Sequence, residues 1–168
     1  MVEIYPRIFC GSDADAYALL VTDNLDEWTV LHCAKEKWHR EMVGYTGRGA
    51  PKEHPEYLFA RRGNRMALNM VDAPKPEFFS PEMIKAGLDF LEEGFKAGKN
   101  LLVHCNQGES RGPSVVMLYV YKYHVDHAIG DSGPVSFEAA EAEMRRIYPA
   151  YNPGEGIRAH LMRYWGEY

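Results

Sequence analysis

A chain of 168 residues is one domain by length and long enough to bury a core. Its 46% hydrophobic and 26% charged residues are ordinary for a globular protein, and a net charge of −5 argues against a general nucleic-acid binder. No window reaches the ~18 apolar residues of a membrane span. Met1–Pro6 carries no basic-then-apolar leader, and three cysteines make no disulfide framework, so a reduced, cytoplasmic setting without a membrane partner is expected.

In chain order, Ile4–Cys10 predicts a strand, Asp13–Leu20 a short helix and Trp28–Cys33 a second strand. Trp38 and Met42, four apart, mark a short amphipathic segment, and Gly44–Pro55, with three glycines and two prolines, reads as a loop. Tyr57–Ala60 and Met66–Val71 flank Arg61–Arg65 as a hairpin. From Lys35 to Arg65 there are eight basic residues against four acidic ones. That segment is either an ordinary solvated region or a basic rim that recruits a phosphorylated partner.

Ser80-Pro81-Glu82 starts a helix with a capping serine, a first-turn proline and an acid. Ile84, Leu88, Leu91 and Phe95 form its apolar stripe, and Gly98 is its stop. Leu101–Val103 reads as a buried strand and Val115–Tyr121 as a buried helix. A Gly/Asp/Ser loop around Gly130–Gly133, a helix after Ser136 and a last helix over Glu155–Trp165 complete the chain. The alternation predicts one α/β domain over 1–168, with a central, mainly parallel sheet flanked by helices on both faces.

Between the buried strand and the buried helix lies His104-Cys105-Asn106-Gln107-Gly108-Glu109-Ser110-Arg111. A loop wrapped over a helix start offers unpaired N–H groups and the positive end of a dipole, which suit a phosphate or sulfate ion. The same field favours the thiolate of Cys105, a nucleophile. Arg111 can grip two phosphate oxygens at once. The amides from Asn106 through Gln107, Gly108, Glu109 and Ser110 to Arg111 then form an anion nest, with Gly108 in a glycine-only conformation and no catalytic side chain at Glu109 or Ser110. His104 reads as a buried residue that organises the loop. No GxxxxGK[ST] motif is present and no cofactor is implied.

His-Cys, five residues, then Arg resembles the signature of the cysteine-dependent protein phosphatases. Gly108, Ser110, Arg111, Pro113 and Ser114 are similar to the small dual-specificity branch. The resemblance extends to Tyr5–Ser12 as an opening strand, Asn69–Asp72 as a general-acid segment and Tyr151–Pro153 as a closing segment. It implies a phosphatase-like fold with the signature loop between a central strand and a buried helix. It also implies a metal-independent phosphomonoester hydrolase that forms a phosphocysteine on Cys105 and accepts phosphotyrosine, phosphoserine and phosphothreonine in proteins. Two alternatives stay open: a phosphatase of RNA 5′ ends, inositol phosphates or phosphoglucans, and a phosphate-binding module of low turnover.

The leaving oxygen needs a proton from a carboxylic acid across the pocket. Asp72, 33 residues before Cys105 and followed by Ala73-Pro74-Lys75-Pro76, is the candidate; Glu77 is the reserve, and Asp89 is disfavoured inside a helix. Asn152 matches a family position that helps position water. Gly112 departs from the family, where a hydroxyl residue follows the arginine and serves the cysteine sulfur. A serine there is expected to speed breakdown of the intermediate. His32-Cys33 and Cys10 read as buried strand residues, His124 and His127 as a surface helix end without a zinc set, and Tyr119, Tyr121 and Tyr123 as core and rim.

Overall fold

The structure, a computed structural model, describes residues 1–22, 24–125 and 134–168. The first expected strand is in fact a hairpin. Arg7 takes φ 68° after Pro6 and its N–H donates to the Glu3 carboxylate at 2.8 Å, which splits the segment into β1 (Val2–Tyr5) and β2 (Ile8–Gly11). Then come α1 (Asp13–Leu20), β3 (Trp28–His32), a kinked turn over Lys35–His39 and the single-turn α2 (Arg40–Val43). β4 (Phe59–Arg62) and β5 (Arg65–Leu68) form the second hairpin, turned by Gly63 at φ 61°. β5 ends three residues earlier than the apolar pattern suggested, so Asp72 lies beyond the strand in a loop.

Ser80 caps α3 (Pro81–Lys96) by accepting the Met83 N–H at 3.3 Å, and Gly98 ends it at φ 80°. β6 (Asn100–His104), α4 (Arg111–Val120), α5 (Phe137–Ile147) and α6 (Glu155–Tyr164) follow. The expected loop around Gly130–Gly133 and His127 lie outside the described residues.

The strands order as β1-β2-β6-β3-β5-β4, parallel through the middle and antiparallel at both edges. Alternation sends Val30, Ala67 and Leu102 to one face and Leu31, Met66, Leu68, Leu101 and Val103 to the other. The first face packs Ala16 and Leu19 of α1 and Trp38; the second packs the apolar sides of α3, α4, α5 and α6. Helices therefore cover both faces, as expected of a mainly parallel sheet. Among the described residues, no helix is long and apolar enough to cross a membrane.

Candidate active site

Cys105 directly follows central β6, and residues 105–110 turn over the start of α4. Gly108 sits at φ 80°, and a Cβ there would lie 2.8 Å from the Gly11 carbonyl oxygen, so only glycine fits. Three ties hold the loop. The Asp13 N–H donates to the Asn106 carbonyl at 3.2 Å, the Asn152 N–H to that of Glu109 at 2.8 Å, and the Tyr148 hydroxyl to that of Gly108 at 2.9 Å.

Cys105 lies at the floor of a cleft of about 640 Å³ that Asp72, Arg111 and Asn152 also line. Cys10 and Cys33 are fully buried, and burial pushes both thiols well above the ordinary range. Only Cys105 of the three opens to the cleft.

The Arg111 side chain is fixed by two of its nitrogens. Nη1 donates to the Met70 carbonyl at 3.1 Å and Nη2 to Asn106 Oδ1 at 2.7 Å. Its buried Nε has no hydrogen-bond partner and lies 3.8 Å from Asp72 Oδ2. Asn106 passes the constraint on, donating from Nδ2 to Asp13 Oδ2 at 2.9 Å, while Trp38 Nε1 donates to Asp13 Oδ1 at 2.7 Å. Partial burial raises the Asp13 pKa, but the neighbouring His104 and the hydrogen bonds from Asn106 and Trp38 outweigh it and bring it down to about 2.

His104 is wholly buried and meets an unforeseen partner, His32. Arg65 Nε donates to His32 Nε2 at 3.2 Å, which leaves the His32 proton on Nδ1. That proton points at His104 Nε2 across 2.5 Å, so the His104 proton rests on Nδ1, facing Asp13 Oδ1 at 3.4 Å. Trp38 stacks on His32 at 4.2 Å between ring centroids.

Asp72 takes a hydrogen bond on Oδ1 from the Ser110 hydroxyl at 3.2 Å, and that hydroxyl accepts the Gly154 N–H at 2.9 Å. Glu77 and Asp89 are elsewhere, the first 3.9 Å from Arg163 and the second paired with Lys85 on α3. Neither lines the cleft. Asn152 does, and is held there by its backbone.

The expected gain from a serine at Gly112 meets a steric obstacle. A Cβ there would sit 2.9 Å from the His104 carbonyl carbon and 3.0 Å from the Cys105 nitrogen, both backbone atoms. Ser114 is engaged elsewhere, its buried hydroxyl 3.2 Å from that of Tyr151. Half of the basic segment is paired: Lys35 and Arg40 with Glu36, Arg61 with Glu93 and Arg62 with Glu56. Tyr119 and Tyr121 are buried and Tyr123 half-buried, as core and rim. No cluster of potential metal ligands occurs among the described residues.

Sequence patterns missed Asp13, His32, Trp38 and Arg65. The signal for His32 was strand register, since parallel β3 and β6 set His32 beside His104.

No protein-family model matches the chain. Solved structures do. Human DUSP28 aligns over 99% of this chain and 93% of its own at 17% identity and a TM-score of 0.62. DUSP15 aligns over 98% and 86% at 19% identity and 0.65. The human tyrosine phosphatase-like serine/threonine/tyrosine-interacting protein aligns over 99% and 95% at 19% identity and 0.63. The chain has the fold of the dual-specificity phosphatases. The resemblance read from the signature loop thus holds at the level of fold.

Proposed function

We infer that the chain is a cysteine-dependent phosphomonoester hydrolase of the small dual-specificity type. The observation that carries this is one cleft in which Cys105, the otherwise pinned Arg111 with its unpartnered Nε, and Asp72 converge. In this reading the Cys105 sulfur attacks phosphorus in line with the departing oxygen. The amides from Asn106 to Arg111 and the Arg111 guanidinium hold the equatorial oxygens. Asp72, oriented by Ser110, gives its proton to the leaving oxygen and afterwards takes one from the water that splits the phosphocysteine. His104 and Asn152 support the loop and the cleft wall. The substrate is a phosphorylated protein, and an inorganic oxyanion would occupy the same nest.

The second reading, a phosphate-binding module of low turnover, is favoured by Gly112 and by a neighbour named only as phosphatase-like. The intact thiol, arginine and acid weigh against it. Hydrolysis of a small aryl phosphate tests the matter. The wild type is expected to turn over with and without chelator, and Cys105→Ser to lose turnover while still binding tungstate. Residual hydrolysis by metal-free Cys105→Ser would reject the nucleophile, and absent wild-type turnover with intact tungstate binding would favour the binding module.

A further inference from the structure

The charge around the cleft is unusual for a site that takes a dianion. Its lining includes three carboxylates, Asp72, Glu109 and Glu155, and a single basic side chain, Arg111. Arg111 is 8% exposed and sits beneath the rim, whereas Glu109 and Glu155 are exposed at it. Lys37, Arg48 and Lys52, cations without a carboxylate partner among the described residues, are not among the lining residues, and neither is Lys75. The floor is built for an anion, since the buried Arg111 Nε there has no hydrogen-bond partner. Negative charge is therefore wanted at the bottom and positive charge at the mouth.

We propose that the cleft selects phosphorylated peptides that carry arginine or lysine beside the phosphoresidue, with Glu109 and Glu155 as the residues that read those cations. The proposal rests on the phosphatase reading above and names its substrate class. A phosphoresidue seated on the loop places its chain neighbours at the mouth, within reach of exposed carboxylates. Unit charges several ångströms apart near a protein surface interact appreciably at low salt and are screened within a few ångströms at molar salt. The same rim repels a polyanion, so multiply phosphorylated inositols and RNA 5′ ends meet like charge before they reach Arg111.

The experiment compares matched phosphotyrosine peptides flanked by arginines or by glutamates, with a small aryl phosphate as the reference without flanking charge. At low ionic strength the arginine-flanked peptide is expected to show kcat/KM about tenfold or more above the glutamate-flanked one, from Coulomb energies of this order. The ratio should approach unity near 1 M salt. Glu155→Lys should cut the ratio several-fold while the variant still turns over aryl phosphate. Glu109→Lys should cut it further in combination. Equal rates for the two peptides, or faster turnover of inositol polyphosphates or 5′-phosphorylated RNA, would overturn the proposal while aryl phosphate turnover keeps the phosphatase reading intact. Should turnover be absent altogether, binding of the same two peptides to Cys105→Ser protein decides the charge preference independently.

Discussion

The imidazoles of His32 and His104 meet Nδ1 to Nε2 at 2.5 Å, both wholly buried beneath the loop that follows β6. Burial, then the neighbouring His104 and Arg65, hold the His32 imidazole well below its ordinary range. For a base the sign follows directly. Below the unfolded value of about 6.5, the unfolded chain binds a proton that His32 in the folded protein refuses, so stability falls as pH drops.

His32→Asn should accordingly lose stability at pH 7.5, by about 1–3 kcal/mol for the buried hydrogen bonds, yet lose less on acidification than the wild type. Burial also lowers His39 and His160, so part of the slope remains. Denaturant unfolding at several pH values between about 7.5 and 5 reads both quantities. Parallel pH dependences for the two proteins would mean that His32 takes up its proton without unfolding.

Asp13 has the same sign in a lower pH window, since its pKa is also lowered in the folded protein. Its carboxylate is held down to about 2, so its contribution is complete above its unfolded value and is lost as pH falls through that of the folded state. Asp13→Ala should cost about 1–3 kcal/mol at neutral pH by stripping acceptors from Asn106 and Trp38. The gap between wild type and variant should narrow from about pH 4 downward. Because Asn106 also holds Arg111, KM for an aryl phosphate should rise more than kcat falls. A gap that persists at pH 3 would assign the loss to packing.

Asp72→Asn should slow alkyl phosphates by about 10²–10⁴-fold and activated aryl phosphates far less, because only a poor leaving group needs its proton supplied. Ser110→Ala should show the same leaving-group dependence in weaker form, since Ser110 orients Asp72 through Oδ1. Steady-state rates across a series of leaving groups check it. Uniform losses across the series would give Asp72 a structural role.

Local chemistry was legible where a few adjacent residues decide the outcome. Ser80-Pro81 marked the start of α3, and the strand–loop–helix around Cys105 was readable from its flanking apolar runs. Asp72 was singled out because the proposed reaction needs an acid, and it lines the cleft of Cys105 although β5 stops short of it. The support beneath the loop was not legible. His32, Asp13 and Arg65 reach His104 and Asn106 through strand order and register, which no local pattern encodes. The Pro6–Arg7 turn was missed because a non-glycine residue takes a positive φ there, held by Glu3.

Gly112 carries the last prediction. The resemblance to hydroxyl-bearing relatives makes a serine there attractive, because one hydrogen bond to a charged group contributes roughly 1.5–3 kcal/mol, on the order of 10- to 150-fold in rate. Wild type, lacking that bond, should accumulate phosphoenzyme and show a burst with an activated aryl phosphate. The geometry opposes the simple remedy, since any Cβ at 112 presses within 3.1 Å of three backbone atoms of His104 and Cys105. Gly112→Ser and Gly112→Ala should both destabilise the protein, by about 1–3 kcal/mol as overpacked positions do, and neither should raise turnover. The alanine separates the steric effect of the Cβ from the hydroxyl. Rapid-quench kinetics and denaturant unfolding on both variants decide between the two effects. Faster turnover and a smaller burst in the serine variant alone would show that the loop yields enough for the sulfur to gain its donor.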